Sequence, residues 1–147
     1  MQVREIMSNH LVCCTPDTPL ADVARLMVEN DCGQIPVVGS DDRRPVGVVT
    51  DRDIACRAVA KGRNPLDLTA RDCMSSPVVT VSANAGVDEC CQTMAGRQVR
   101  RLPVIDENGE CCGIVAQADI ARVASENVAG RVVREVSREI PAASRVS

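Results

Sequence analysis

Apolar and polar positions follow the same order twice along this chain. Each half opens with a short valine-rich stretch, and the apolar residues after it recur at the three-to-four spacing of a helix. Two short apolar runs follow, joined by a polar turn, and a second helical stretch closes the half. The pattern predicts strand, helix, strand, strand, helix in each copy, which is an α+β (α/β) fold class.

The elements can be placed approximately. The predicted strands are 11–14, 35–38 and 46–50 in the first half, and 78–81, 102–105 and 112–116 in the second. Pro19 suits the first turn of the first helix, the matching helix covers about 87–95, and the closing helices start near Asp51 and Gln117. The predicted organisation is a first motif at 1–60, a linker at 61–68, a second motif at 69–125 and a helical tail at 126–147.

The two halves also share sequence. Arg4-Glu5-Ile6-Met7 recurs as Arg71-Asp72-Cys73-Met74, and Ile35-Pro36-Val37-Val38 recurs as Leu102-Pro103-Val104-Ile105, both displaced by 67 positions. The stretch Gly47–Ile54 recurs at 113–120 with a displacement of 66, so the intervening turn loses one residue. Two copies in register indicate a pseudo-twofold pair rather than a longer repeat array.

Composition narrows the possible functions. The 147 residues contain no Phe, Tyr or Trp and carry a net charge of -3. Without aromatic platforms or excess positive charge, the chain is a poor candidate for binding nucleic acid. No apolar run reaches the roughly 20 residues of a membrane span. We therefore expect a cytoplasmic protein without a membrane partner.

Nine cysteines raise the question of a metal or disulfide. The chain has no Cys-x-x-Cys spacing and only one histidine, His10, so no metal site is predicted. An odd number of cysteines favours free thiols that act as small apolar core residues. A thiol redox sensor stays open as an alternative, because reactivity depends on pKa and exposure.

The segment Gly47–Asp53 carries the strongest chemical signal. A strand ends near Thr50 and a helix begins, and the N–H groups of a helix start favour phosphate. Asp53 offers a carboxylate for ribose hydroxyls, and Arg52 a planar cation for phosphate. The same spacing also predicts a capping box between Thr50 and Asp53. From these residues alone, capping is slightly favoured over binding.

The repeated unit resembles the CBS (cystathionine-β-synthase) domain family, over about residues 1 to 125. The resemblance rests on the Gly-h-h-Thr-x-x-Asp pattern at Gly47–Asp53 (h is an apolar residue), its variant at 113–119, and the paired Ile-Pro-Val-Val and Leu-Pro-Val-Ile strands. It is similar to small stand-alone bacterial members with two motifs. The family implies two clefts between the motifs, each able to hold an adenosyl ligand such as AMP, ADP, ATP, NAD(H) or S-adenosylmethionine.

The resemblance assigns residues to each cleft. Cleft one combines the end of the first motif's strand with residues of the second copy, namely Val49, Thr50, Arg52, Asp53, Pro77, Val78, Val79, Val99 and Arg100. Cleft two combines Val115, Ala116, Asp119, His10, Leu11, Val12, Cys32 and Gly33. Ala116 replaces the threonine, and Gly33 stands where cleft one has Arg100. We therefore expect cleft one to bind better, whereas His10 by itself is typical of a surface loop.

The function that follows is a regulatory sensor of an adenosyl ligand, with no required cofactor and no catalysis. The family implies a homodimer, and a regulator also needs a downstream protein, which the sequence does not identify. No nucleophile with a partnering base and no paired-carboxylate pattern points to an enzyme. A ligand-free dimerisation module is the remaining alternative.

Overall fold

The computed structural model describes residues 1–123. In this range both halves contain the predicted helix, strand, strand and helix in order, with the first strand reduced in each, and the α+β fold class is confirmed. The first half contains α1 (Leu20–Glu29), β1 (Gln34–Val38), β2 (Pro45–Thr50) and α2 (Asp51–Ile54), which continues as a π-helical turn, Ala55–Val59. The second half contains α3 (Ala70–Cys73), β3 (Val81–Ser82), α4 (Val87–Arg97), β4 (Arg101–Ile105), β5 (Cys111–Ala116) and α5 (Gln117–Val123). The predicted tail at 126–147 lies outside the described residues.

Short helical turns that the sequence pattern did not predict precede each half. Val3–Glu5 forms a 3-10 turn, and the helix α3 occupies the matching position before the second copy. A further 3-10 turn, Pro65–Asp67, lies in the predicted linker, where the Asn64 side chain accepts a hydrogen bond from the N–H of Leu66 at 3.1 Å. The linker is therefore partly structured.

The first predicted strand of each half is much shorter than expected. Cys14 alone forms a parallel bridge, with Val37, instead of a strand over 11–14. In the second half β3 starts at Val81, which pairs with Val104 in the same parallel register. The reason is the proline at the position before each partner, Pro36 and Pro103. Proline has no N–H to donate, so the ladder cannot continue toward the N-terminus of the short strand.

Both first helices end in the same unusual backbone conformation. Asp31 has φ 48° and Gln98 has φ 55°, which is the left-handed region. The next N–H in each copy reaches back to a methionine carbonyl, from Cys32 to Met27 and from Val99 to Met94, both at 3.0 Å. This closure satisfies a carbonyl of the last helical turn and aims the chain into the following strand.

The chain divides into two compact units whose boundaries cut across the repeats. The repeat-one unit comprises Leu11–Val79 with Gly109–Cys111, and the repeat-two unit comprises Met1–His10, Thr80–Asn108 and the described residues 112–123. Each repeat is therefore completed by a segment that precedes the other repeat in sequence, which we call its leader. The leader of the repeat-two unit is residues 1–10, and the leader of the repeat-one unit is residues 69–79. The predicted motif boundaries, which follow the sequence repeats, stay a prediction.

The leader of the repeat-two unit is bound by backbone hydrogen bonds and by buried side chains. The N–H groups of Val3 and Arg4 donate to the carbonyls of Ala85 and Ala83 at 2.9 and 3.0 Å, and Ser8 exchanges bonds with Ile114 at 2.8 and 3.1 Å. Val3 and Ile6 are buried in this unit. In the repeat-one unit, Ser75 exchanges the equivalent pair of bonds with Val48.

The core of the repeat-one unit is aliphatic with cysteine, as the lack of aromatic residues requires. Its buried cluster contains Cys14, Leu20, Val23, Met27, Ile35, Val37, Val49, Ala58, Leu68, Ala70 and Cys73. The apolar face of α1 supplies three of these residues, because Leu20, Val23 and Met27 recur at helical spacing. Among residues 1–123, no helix is long and apolar enough to cross a membrane.

Deletion of residues 1–10 is expected to destabilise the repeat-two unit and expose its core, and to leave the core of the repeat-one unit protected. The deletion removes two buried side chains, worth about 1.5–3 kcal/mol each, together with the backbone bonds of the leader. Alkylation followed by mass spectrometry measures the effect, because Cys90 and Cys91 are buried in the repeat-two unit and Cys14 and Cys73 in the other.

We expect Cys90 and Cys91 to become reactive in the truncated chain while Cys14 and Cys73 stay protected. The full-length chain is the control, in which all four thiols should resist labelling. Equal labelling of all four thiols in the truncated chain would contradict the division into units.

Candidate functional site

The junction between β2 and α2 is closed by a reciprocal pair of hydrogen bonds. Thr50 is the N-cap, with extended backbone (ψ 162°), and its hydroxyl accepts the N–H of Asp53 at 3.0 Å. The Asp53 carboxylate reaches back and accepts the N–H of Thr50, also at 3.0 Å. The capping-box interpretation of these two residues is therefore confirmed.

Asp53 is more than a cap, because its carboxylate also faces two other side chains. The Ser75 hydroxyl lies 3.4 Å from Oδ1 and 3.5 Å from Oδ2, and Nε of Arg57 lies 3.9 Å from Oδ1. The Asp53 side chain is 15% exposed. An ionised carboxylate has about four acceptor positions on two oxygens, so Asp53 retains capacity for a hydroxyl donor from outside.

The N–H groups at the start of α2 are already occupied, which corrects one expectation. Asp51 donates to the carbonyl of Gly33 at 3.0 Å, Arg52 donates to the Asp51 carboxylate at 2.8 Å, and Asp53 donates to Thr50. These are the groups that the sequence analysis assigned to a phosphate. Anion binding at this helix start would instead depend on side chains.

Arg52 is a candidate for that role. It is exposed, and within residues 1–123 its guanidinium has no ion-pair or hydrogen-bond partner. An uncommitted guanidinium suits a phosphate, because it can donate to the phosphate oxygens.

Gly47 serves packing rather than access to a ligand. A Cβ at Gly47 would lie 2.8 Å from the carbonyl oxygen of Ser75 and 3.0 Å from Sδ of Met74. Gly113 repeats the arrangement, with the Ser8 carbonyl at 2.6 Å and the sulfur of Met7 at 3.0 Å. In each repeat, the glycine that the sequence repeats therefore contacts the methionine that it repeats. The missing side chain of the glycine lets the leader lie directly against the strand.

The second repeat keeps only half of the capping box. The N–H of Ala116 donates to the Asp119 carboxylate at 2.8 Å, but alanine has no hydroxyl to accept the N–H of Asp119. Arg122, one turn later, pairs with the other oxygen of Asp119. Gln117 donates to the carbonyl of Arg100 at 2.7 Å, as Asp51 does to Gly33. The junction is thus preserved with fewer polar groups.

The predicted cleft residues are distributed over both units. Of the first set, Val49, Thr50, Arg52, Asp53, Pro77, Val78 and Val79 lie in the repeat-one unit, and Val99 and Arg100 in the other. Of the second set, His10, Val115, Ala116 and Asp119 lie in the repeat-two unit, and Leu11, Val12, Cys32 and Gly33 in the other. Their assembly into two clefts stays a prediction.

Within the repeat-one unit, the leader brings part of the first set together. Ser75 bonds to Val48 and faces Asp53, and the Ser76 hydroxyl donates to the carbonyl of Val46 at 3.0 Å, which places Pro77 beside β2. Val49 is fully buried, and so is Val115 in the other unit. Neither valine therefore presents exposed surface, from its side chain or its backbone.

Two residues of this arrangement were missed from the sequence, Ser75 and Arg57. Ser75 had a detectable signal, because Ser8 stands at the equivalent position after the repeated methionine. Arg57 had only its four-residue spacing from Asp53 on a predicted helix. The repeat gave no support, because its counterpart in the second half is Val123.

The cysteines belong mainly to the cores. All nine are free thiols, and Cys14, Cys73, Cys90, Cys91 and Cys111 are buried. Burial raises the pKa of Cys14 and of Cys90 to about 12, which disfavours the reactive thiolate at neutral pH. Among residues 1–123, no three or more His, Cys, Asp or Glu side chains lie together in a way that could hold a metal ion.

The chain contains the same α+β unit twice, and each copy has a capped junction between a strand and a helix. These features define the class of protein as one built from two tandem motifs. The CBS domain model matches residues 3–58 and 70–126, and the chain belongs to the CBS domain family. It contains a pair of CBS motifs.

The chain is 35% identical to an uncharacterized protein of Methanopyrus kandleri, MK0525, over 84% of this chain, and spans 62% of the length of that relative. It is 37% identical to Hypoxic response protein 1 of Mycobacterium tuberculosis, over 96% of this chain and 97% of that protein.

Two solved structures show the same fold. The crystal structure of Hypoxic Response Protein I with two coordinated zinc ions has a TM-score of 0.77 and 38% identity, covering 85% of this chain and all of that one. The zinc ions are a finding about that protein. The CBS domain pair of MJ0100, in complex with 5'-methylthioadenosine and S-adenosyl-L-methionine, has a TM-score of 0.73 and 24% identity, covering 84% of this chain and 94% of that one.

Replacement of the two N-cap positions is expected to change stability in opposite directions. Thr50→Ala removes the acceptor of the Asp53 N–H and should destabilise the protein by about 1 kcal/mol. Ala116→Thr supplies the missing acceptor for the Asp119 N–H and should stabilise it by a few tenths to about 1 kcal/mol. Denaturant unfolding of both variants measures the changes. A loss of stability in Ala116→Thr would show that the second junction does not accept a full capping box.

Proposed function

We propose that the chain is a regulatory sensor that binds an adenosyl ligand at the Thr50–Asp53 junction and does not catalyse a reaction. The observation that carries the proposal is the combination of a partly exposed carboxylate with spare acceptor capacity and an uncommitted guanidinium on one capped junction. Ribose hydroxyls donate to carboxylates, and phosphates accept from guanidinium groups, so the two side chains match the two polar parts of a nucleotide.

The backbone at Val79, a residue of the first set, offers a complementary site for the base. Because Pro103 has no N–H, the carbonyl of Val79 lacks the ladder partner that a longer strand would give it. Val12 and Pro36 repeat this relation in the second set. An unpaired carbonyl is a suitable acceptor for an exocyclic amino group such as that of adenine. MJ0100, a CBS pair of the same fold, is in complex with adenosyl ligands.

The two repeats are proposed to differ as binding sites. The full first set, with Thr50, Arg52, Asp53 and Arg100, would form the stronger site between the motifs. The second set has Ala116 in place of threonine and Gly33 in place of arginine, and Arg122 already pairs with Asp119. Ligand binding would then shift the population of one packing of the motifs, in a homodimer read by a downstream protein.

A thermal-shift panel with AMP, ADP, ATP, NADH, S-adenosylmethionine and adenosine tests the proposal. A ligand at 100 times its dissociation constant adds about 2.7 kcal/mol, which corresponds to roughly 5–10 °C for a domain of this size. We expect a shift of this size with at least one of the six ligands.

The variants separate binding from folding. Asp53→Ala should abolish the shift, whereas Asp119→Ala, which loses the equivalent bond to a backbone N–H, should retain it. Arg52→Gln should reduce the thermal shift caused by the nucleotides and leave the shift caused by adenosine unchanged, since Arg52 would contact phosphate only. No shift with any ligand would reject the sensor and favour a ligand-free dimerisation module.

A further inference from the structure

Arg57 connects three parts of the repeat-one unit although the sequence does not mark it. Its Nη1 donates to the carbonyl of Met74 at 2.7 Å and to that of Cys73 at 3.3 Å, and its Nε lies 3.9 Å from Oδ1 of Asp53. One side chain thus spans the helix after the junction, the Asp53 carboxylate and the end of the leader segment.

The position of Arg57 follows from the helix that carries it. Asp53 and Arg57 are four residues apart, the spacing that places two side chains on one face. From Ala55 the helix widens into the π turn, in which the N–H of Ala60 donates to the carbonyl of Ala55 at 2.8 Å. Such turns change the direction of the side chains on them and occur often at functional sites.

The carbonyls that Arg57 binds need a donor. α3 is a helix of only four residues, and its last carbonyls have no continuing turn to accept from. The guanidinium donates to the carbonyl of Cys73, the last residue of α3, and to that of the following Met74. Both lie directly before Ser75, whose N–H donates to the carbonyl of Val48 at 2.8 Å and whose hydroxyl faces Asp53. Arg57 therefore holds both sides of the Asp53–Ser75 contact.

Within residues 1–123, the second repeat has no counterpart to this connection. Val123 occupies the equivalent position and cannot donate, and the neighbouring Arg122 pairs with Asp119. The leader of that unit is held at Ser8 by its two backbone bonds to Ile114. Ser8 and Ser75 are therefore matched backbone positions for a comparison. Ser75 directly follows two carbonyls that bind Arg57, and Ser8 has no such arginine beside it within residues 1–123.

We propose that Arg57 is a positioning residue of the adenosyl site. It fixes the orientation of the Asp53 carboxylate and the place of the Met74–Pro77 segment without contacting the ligand, so the site is organised before binding. The proposal rests on the proposed function for the identity of the ligand. The contacts of Arg57 with Asp53 and with the carbonyls of Cys73 and Met74 can be tested in the ligand-free protein.

The test compares Arg57→Met, Arg57→Lys and, as the control in the other unit, Arg122→Met. Amide hydrogen exchange of Ser75 and Ser8 is followed by NMR in the ligand-free chain, and AMP affinity is measured by calorimetry. In Arg57→Met we expect exchange at Ser75 to accelerate and AMP affinity to fall by about tenfold, the cost of ordering a loosened site. Ser8 exchange should not change.

Arg57→Lys should recover part of both effects, since a lysine can still donate to the carbonyls but not to Asp53 at the same time. Arg122→Met should leave both Ser75 exchange and the AMP affinity of the Thr50–Asp53 site unchanged. Faster exchange at Ser75 and Ser8 alike would indicate general destabilisation and overturn the proposal, as would unchanged Ser75 exchange or unchanged AMP affinity in Arg57→Met. If the unmodified chain does not bind AMP, the nucleotide assignment fails and the exchange data alone decide whether Arg57 holds the segment.

Discussion

The contact between a leader segment and a glycine-containing strand is the constraint on which the rest of each unit depends. At Gly47 and at Gly113 the backbone of the leader comes so close that a single Cβ would overlap a carbonyl oxygen. This approach allows Ser75 and Val48, or Ser8 and Ile114, to exchange two hydrogen bonds. The strand held in this way leads directly into the capped junction. The glycine contact therefore fixes the position of the junction.

The same contact changes the meaning of the Gly-h-h-Thr-x-x-Asp pattern. Its glycine makes room for the chain itself, and its threonine and aspartate first satisfy each other's backbone N–H groups. The proposed ligand would use what capping leaves over, namely the second oxygen of the Asp53 carboxylate and the uncommitted guanidinium of Arg52. A residue can thus be required for folding and remain available for recognition.

Most of the fold could be predicted from periodicity and from the internal repeat. The helices α1 and α4 and the strands β1, β2, β4 and β5 were placed within about two residues, because their apolar faces are buried and leave a clear pattern. The short first strands were overestimated, since pattern alone ignores the N–H that Pro36 and Pro103 lack. Arg57 could not be found, because a tie between a helix and a leader 17 residues away has no periodic signature.

The exchange of leaders has a consequence for the order in which the chain can fold during synthesis. Ser75 pairs with Val48 soon after both have emerged from the ribosome, whereas Ser8 must wait for Ile114, which is made 106 residues later. Long-range pairing of this kind slows folding and leaves a strand edge open in the meantime. Residues 1–10 are therefore made well before the strand that holds them, and they are among the last segments of this fold to reach their final place.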